Sequence, residues 1–193
     1  METAVSRFPV VDLADLPEDL RERIQAIVEK SGFVPNIFLA LGHRPAELRA
    51  FLDYHDALME RSDGLSKAER ELIVVATSGA NHCTYCVVAH GAILRVRAKD
   101  PELADRVSSN PWQVELDERG RAIVDLALAL SHDSAAFGDA DLDLAREAGL
   151  TDDEIWDVGA ITALFAMSNR LAHLTALRPN PEFFLMGRLP RER

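Results

Sequence analysis

The sequence predicts an all-α fold, a single-domain helical bundle that includes all 193 residues. Apolar residues recur with a helical period in nearly every segment, and no stretch alternates with the period of two that is typical of a half-buried strand. Two capping boxes, at residues 66–69 and 151–154, each open a strongly apolar segment, as helix N-termini do. With 48% hydrophobic residues, the chain can bury a sizeable core as one domain.

Proline and glycine divide the first third of the chain into helices. Pro17 lies in the first turn of a helix, and Gly32 is expected to end it. A break at residues 33–37 leads into a short helix. Pro45 opens the next helix, which should run as far as a turn at residues 63–64.

The central helices follow from the first capping box. A helix should begin after Ser66 and run to about Gly79, and its segment 72–76 is apolar on nearly every face. Such a helix needs neighbours all around it, so it is expected at the centre of the domain. Asn81 interrupts the pattern and is expected to cap the next helix, which continues toward Ala98.

The second half begins with a polar connector. Residues 99–111 contain two prolines and should form at most a short helix. Beyond it, the periodicity predicts helices at about 118–132 and 141–148, then a long helix that begins at the second capping box. Prolines predict a non-helical tail from about residue 178 to residue 193.

Composition limits the partners and the compartment. The net charge of -11, without any run of Lys or Arg, argues against nucleic acid and anionic membrane surfaces as partners. The first residues lack the apolar core of a signal peptide, and the longest apolar run, at 161–167, is too short to span a bilayer. A cytoplasmic location is therefore expected. In that reducing compartment a CxxC pair is more often catalytic or metal-binding than a permanent crosslink.

The most informative motif is the pair Cys83 and Cys86, the only cysteines in the chain, followed by His90. On an ideal helix the three side chains fall within an arc of about 60°, so they share one face. At a helix N-terminus the dipole favours a thiolate, most strongly on Cys83. Glu71 lies on the preceding helix and could fold back against this face, where burial would suit it to a proton relay.

The spacing Glu71-x11-Cys83-x-Tyr85-Cys86-x3-His90 resembles the alkylhydroperoxidase D-like group of the carboxymuconolactone decarboxylase superfamily, and most closely its peroxidase-related members. Similarity to this group extends over most of the chain. It is clearest in four segments, residues 32–36, 65–71, 81–90 and 169–172.

The resemblance implies an all-helical, oligomeric fold and an antioxidant thiol peroxidase that needs neither metal nor another cofactor. Cys86 would attack the hydroperoxide, and Cys83 would resolve the product to a disulfide and exchange it with a thiol or dithiol reductant, which could be a protein. His90 would be the base near Cys86, with Glu71 in the proton relay. Tyr85 departs from the best-characterised members, which carry histidine between the cysteines.

Other interpretations of the pair stay open at this point. One is a disulfide oxidoreductase or redox sensor with little peroxidase turnover. Another is a zinc site formed by His82, Cys83, Cys86 and His90, although His82 points about 100° away from Cys83 on a helical wheel. A lactone decarboxylase like the other superfamily members is a third, but that chemistry does not depend on a CxxC pair.

Three further residues could support the site, namely Tyr85, His82 and His55. His55 lies on the apolar stripe of its helix, where a packing role is the simpler expectation. Asn169 and Arg170 interrupt an apolar helix, which indicates buried hydrogen bonding or a subunit interface. Because the all-apolar central helix needs neighbours on every side, we also expect a homo-oligomer.

Overall fold

A computed structural model describes residues 4–188, and within that range it contains ten α-helices and no strand. The all-α prediction is therefore confirmed. The helices are α1 Glu18–Ser31, α2 Asn36–Leu41, α3 Pro45–Met59, α4 Lys67–Ala80, α5 Thr84–Ala98, α6 Leu103–Ser109, α7 Glu118–Asp133, α8 Asp139–Glu147, α9 Asp152–Thr175 and α10 Pro181–Leu185.

The first three helices form a layer of their own over one side of the bundle. Helix α1 ends at Gly32, which adopts the left-handed conformation (φ 85°) that glycine tolerates best. Apolar side chains of α1, α2 and α3 pack together, among them Leu20, Ile24, Phe38 and Leu48. This layer places α3 beside α9 and next to the first turn of α4.

Helix α4 is the central helix, as its apolar pattern predicted. Its capping box is complete, because the Glu69 amide donates to Ser66 Oγ (3.2 Å) and the Ser66 amide donates to Glu69 Oε2 (2.6 Å). Residues 70–78 are buried without interruption, and the helix contacts α5, α6, α7 and α9. A helix enclosed in this way gives its side chains fixed positions.

A buried ion pair anchors the start of α4. The Arg70 side chain is fully buried, and its Nη1 lies 3.0 Å from Asp157 Oδ2 on α9. The same guanidinium donates to the backbone carbonyls of Leu58, Asp63 and Leu65 in the turn that joins α3 to α4. A buried guanidinium needs this many acceptors. The network fixes the register of α4, and therefore the position of the residue that follows Arg70.

The turn between α4 and α5 differs from the prediction. Asn81 was expected to cap α5, but it ends α4, and Cys83 is the N-cap residue of α5. Asn81 still belongs to the last turn of α4, because its amide donates to the Thr77 carbonyl (3.0 Å), and its side chain donates to Asn169 Oδ1 on α9 (3.0 Å). His82 takes a left-handed conformation (φ 54°), and the Cys83 amide donates to the Ser78 carbonyl (2.9 Å).

The connector and the tail complete the fold. The connector contains the short helix α6, as expected, but the prediction of a non-helical tail is wrong for residues 181–185. Pro181 occupies the first position of α10, where its missing amide hydrogen costs nothing. Phe183 is buried, and Arg95 of α5 donates to its carbonyl at 2.7 Å. Residues 189–193 of the predicted tail lie outside the described residues.

None of the helices described in residues 4–188 is both long enough and apolar enough to cross a membrane.

Candidate active site

The two cysteines meet where α4 turns into α5. Both are free thiols, 1% and 2% exposed, and they approach within 3.3 Å of each other. Their surroundings are apolar, formed by side chains that include Ala40, Ala172 and Phe183. The pair at the N-terminus of α5 is therefore a preassembled, buried dithiol whose sulfurs are close enough to form a disulfide.

Cys83 is the more acidic of the two thiols. A hydrogen bond from the Cys86 thiol is the largest influence, and against the opposing effect of burial it lowers the pKa of Cys83 to about 6. The backbone amide of Cys86, the charge of His173 and the side chain of Asn169 lower this pKa further. Cys83 is therefore the thiol that ionises first, at the helix N-terminus where the dipole favours the thiolate.

Cys86 keeps its proton in the resting dithiol. Its hydrogen bond to Cys83 is the largest cause, and this bond together with burial raises the pKa of Cys86 well above the ordinary value. Ser168 and Asn169 of α9 act in the opposite direction. The Ser168 hydroxyl oxygen lies 3.9 Å from the Cys86 sulfur. A proton acceptor must therefore act on Cys86 before it can react as a thiolate.

A histidine–carboxylate pair lies one helical turn beyond Cys86. His90 Nδ1 is 2.8 Å from Glu71 Oε2, and both side chains are largely buried. The edge of Phe165 packs on the imidazole, with ring centroids 4.6 Å apart. Because an ionised carboxylate only accepts, Nδ1 carries a hydrogen and Nε2 is the nitrogen left to take up a proton. Glu71 thus folds back on α5 as the sequence suggested.

The alternative zinc site does not assemble. Within the described part of the chain, no group of three or more His, Cys, Asp or Glu side chains is arranged to hold a metal ion. His82 is exposed, and its carbonyl accepts a hydrogen bond from His173 Nε2 at 3.3 Å. His90 Nδ1 forms a hydrogen bond with Glu71 Oε2.

Tyr85 connects the site to α2. It is buried, and its hydroxyl oxygen accepts a hydrogen bond from the Ile37 amide at 3.1 Å. Burial raises the pKa of Tyr85, so the phenol stays neutral. The structure gives Tyr85 a role in holding α2 against the dithiol.

His55 lies at the outer edge of the site. Its ring centroid is 6.4 Å from that of His90 and 6.3 Å from that of Phe165. His55 Nδ1 contacts Asp56 Oδ1 at 3.0 Å, which holds the imidazole toward the surface. These contacts are with aromatic rings and not with a thiol. They agree with the packing role that is expected from the sequence.

Ser168 of α9 contacts Cys86, and Asn169 follows it in the sequence. The sequence pattern indicated buried hydrogen bonding or a subunit interface for Asn169, and it assigned no role to Ser168. Asn169 is fully buried, and its Nδ2 donates to Ser78 Oγ at 3.0 Å. The available signal was the polar interruption of an otherwise apolar helix, but only the folded chain shows that it faces the cysteines.

Comparisons with known proteins find relatives of the same fold. The sequence profile of the carboxymuconolactone decarboxylase family matches residues 45–109, which include α4 and α5. A peroxidase-related protein with the alkylhydroperoxidase AhpD core from Ralstonia eutropha JMP134 is 54% identical, with a TM-score of 0.95 over 98% of this chain and 100% of its own. A peroxidase-related protein from Silicibacter sp. TM1040 is 36% identical, with a TM-score of 0.89 over 97% of both chains.

A more distant solved structure shares only the fold. The debrominase Bmp8 is 18% identical, with a TM-score of 0.78 over 97% of both chains. No curated protein sequence matches the chain significantly.

Proposed function

Because the chain belongs to the peroxidase-related proteins with the alkylhydroperoxidase AhpD core, we propose that it is a thiol-dependent peroxidase that reduces hydroperoxides. The observation that carries the proposal is the reduced dithiol, with the Cys83 and Cys86 sulfurs 3.3 Å apart and Cys86 one helical turn before the His90–Glu71 pair. This arrangement brings together a dithiol that can give two electrons, a nucleophilic sulfur and a proton acceptor.

In the first step Cys86 attacks the hydroperoxide. His90 accepts the thiol proton while Glu71 orients the imidazole and stabilises its charge. The Cys86 sulfur then bonds to the terminal peroxide oxygen, and the O–O bond breaks. Cys86 becomes a sulfenic acid, and the leaving alkoxide takes the proton from His90 to become an alcohol.

In the second step Cys83 resolves the sulfenic acid. Its pKa is lowered, so it ionises more readily than Cys86, and the two sulfurs are 3.3 Å apart. As the thiolate it attacks the Cys86 sulfur and forms the disulfide, and the departing hydroxide takes a proton from solvent to become water. The dithiol has then given two electrons to the peroxide. No metal or flavin is required for these steps.

The positions of the cysteines suggest which sulfur of the disulfide the reductant attacks. Cys86 is one helical turn from the acid–base pair, whereas Cys83 follows the exposed residue His82, whose carbonyl contacts the exposed His173 of α9. An external thiol or dithiol reductant would therefore attack Cys83. We place this cycle in the cytoplasm, where reduced thiol donors are abundant.

A count of free thiols tests the proposal. Reduced protein mixed with one equivalent of an organic hydroperoxide should lose both of its two thiols and yield one equivalent of the alcohol. Thiol titration and chromatography of the alcohol measure the two quantities.

The same assay separates this function from its main alternative. A disulfide oxidoreductase without peroxidase turnover would keep its thiols in hydroperoxide and lose them only to a disulfide substrate. Loss of thiols without formation of alcohol would also contradict the proposal.

We further propose that the protein is a homo-oligomer. Three large apolar side chains are exposed along the neighbouring faces of α3 and α9, namely Tyr54, Met167 and Leu174. Exposed apolar side chains gathered in one groove are typical of protein interfaces. Light scattering at micromolar concentration should give a multiple of the 21.3 kDa chain mass.

A matched pair of variants tests this surface. Leu174→Glu should reduce the measured mass, because it places a charge within the groove. Leu144→Glu should not, since Leu144 is similarly exposed but lies on α8, away from the groove. A wild-type mass of one chain would contradict the proposal.

A further inference from the structure

One buried hydroxyl of α9 faces the sulfur that the proposed cycle oxidises. Ser168 is 4% exposed, and its Oγ lies 3.9 Å from the Cys86 sulfur. Serine hydroxyls within helices commonly donate to the carbonyl of the residue four positions earlier. Ser131 does so in α7, where its Oγ is 2.7 Å from the Ala127 carbonyl oxygen. Ser168 departs from this pattern, because the partner of its hydroxyl is a cysteine on another helix.

The distance between Ser168 Oγ and the Cys86 sulfur is long for a direct hydrogen bond, but it suits a bridge of one oxygen atom. Sulfur is a weak hydrogen-bond partner for a hydroxyl. An oxygen bonded to the Cys86 sulfur can lie about 2.8 Å from Ser168 Oγ, the usual length of an O–H···O bond, because a bridge bent at that oxygen spans the observed 3.9 Å. The sulfenic acid of Cys86 supplies such an atom, namely the oxygen taken from the peroxide.

We propose that Ser168 is a catalytic residue whose hydroxyl donates a hydrogen bond to the oxygen of the Cys86 sulfenic acid and stabilises it as it departs. The proposal rests on the peroxidase cycle proposed above and adds a residue to its second step. When the Cys83 thiolate attacks, the S–S bond forms while the S–O bond breaks, and the oxygen leaves with the bonding electron pair as hydroxide. Negative charge develops on that oxygen, and a hydrogen-bond donor fixed beside it lowers the barrier.

The position of Ser168 gives it a task distinct from that of the acid–base pair. His90 and Glu71 lie on α5 and α4, whereas Ser168 approaches the Cys86 sulfur from α9. In the first step the leaving alkoxide takes its proton from His90. The oxygen that stays on sulfur therefore needs a different partner, and the Ser168 hydroxyl is placed to bind it.

Ser168→Ala tests the proposal in a protein that keeps both cysteines. The variant loses one buried oxygen atom and gains alanine, the best helix former, so α9 should fold as before. Formation of the disulfide from the sulfenic acid should slow by about tenfold, the effect of one hydrogen bond to a developing charge. Dimedone present with one equivalent of organic hydroperoxide competes with that step, so the fraction of Cys86 trapped should rise by about tenfold over wild type.

A reaction without oxygen separates this role from simple packing. The reagent dithiobisnitrobenzoate also converts the dithiol to a disulfide, but the leaving atom is then a sulfur of the reagent. Ser168→Ala should form the disulfide with this reagent at the wild-type rate. An equal slowing of the two reactions would overturn the proposal, because the substitution would then have moved the cysteines apart.

Ser131→Ala is the matched control for the trapping assay. It removes a serine hydroxyl that bonds to its own helix, so the trapped fraction of Cys86 should equal that of wild type. Peptide mass spectrometry measures the adduct in all three proteins. An unchanged trapped fraction in Ser168→Ala, or an adduct on Cys83 in place of Cys86, would contradict the proposed role of Ser168.

A crystal structure of oxidised Cys83→Ala protein tests the contact with Ser168 unaltered. This variant lacks the resolving thiol and brings no hydroxyl of its own, so the sulfenic oxygen on Cys86 should lie within about 3 Å of Ser168 Oγ. A sulfenic oxygen directed away from Ser168 would refute this inference and leave the peroxidase function standing. Wild-type protein that keeps its thiols in hydroperoxide would instead refute the proposed function, and the role of Ser168 with it.

Discussion

Replacement of Cys86 by serine should abolish hydroperoxide reduction, whereas each Cys83→Ser chain should still react with a single peroxide molecule. The difference follows from the chemistry of the two positions. A hydroxyl at position 86 cannot attack the peroxide, so no sulfenic acid forms there. A protein that lacks Cys83 can form the sulfenic acid but has no second thiol to resolve it.

The structure also predicts how readily Cys86 ionises when Cys83 is replaced. The hydrogen bond to Cys83 is the largest cause of the raised pKa of Cys86, so its removal should make Cys86 easier to ionise. In Cys83→Ser the sulfenic acid should therefore form readily and persist. Trapping with dimedone after one equivalent of peroxide, followed by peptide mass spectrometry, should find the adduct on Cys86.

A dimedone adduct on the other cysteine would exchange the attacking and resolving roles of Cys83 and Cys86. Cys83 is the thiol that ionises first, and thiolates are the attacking species in peroxide chemistry. If only Cys86→Ser yields a dimedone adduct, carried by Cys83, then Cys83 attacks and Cys86 resolves. Wild-type protein is the control, since its sulfenic acid should be lost to the disulfide before dimedone traps it.

Much of the architecture could be predicted because local signals and burial agree. The capping box at Ser66 and the apolar segment 72–76 located α4 and its central position, and the structure has both. The tail was misjudged because Pro181 was treated only as a helix breaker, although proline is favoured at the first position of a helix. Helix α10 also has tertiary contacts that no local pattern shows, such as the hydrogen bond from Arg95 of α5 to the Phe183 carbonyl.

The site could be predicted only in part. The motif spacing located Glu71, Cys83, Cys86 and His90, and the structure places Glu71 against His90. It could not identify Asn169, which is 83 residues beyond Cys86 and has no fixed spacing to the motif. The contribution of a distant helix depends on the packing of α4 and α5 against α9, and no local pattern encodes that packing.

Loss of the His90 imidazole should have a large and pH-dependent effect. Cys86 holds its proton because its pKa is raised well above the ordinary value, and His90 is the base that we propose for its removal. In His90→Ala the reaction with peroxide near neutral pH should slow by about a hundredfold, the usual scale for a single general base. Helix α5 should stay intact, since alanine is the best helix former.

The pH profile distinguishes a base from a structural residue. Since solvent hydroxide generates more of the Cys86 thiolate as pH rises, the deficit of His90→Ala should shrink steadily between about pH 6 and about pH 10. Stopped-flow oxidation of the reduced proteins measures this difference in rate at each pH. Glu71→Gln should show a smaller deficit of the same form, because the imidazole remains but loses the carboxylate that orients it.

His55→Ala is the matched control for this profile. His55 also packs near Phe165, but its imidazole contacts Asp56 and lies at the edge of the site, so its removal should leave the rate close to wild type across the range. A His90→Ala rate that is reduced by one constant factor at every pH would contradict the role of base. His90 would then act only through its packing, and the activation of Cys86 would have to come from Ser168 and Asn169, the two α9 residues that lower the pKa of Cys86.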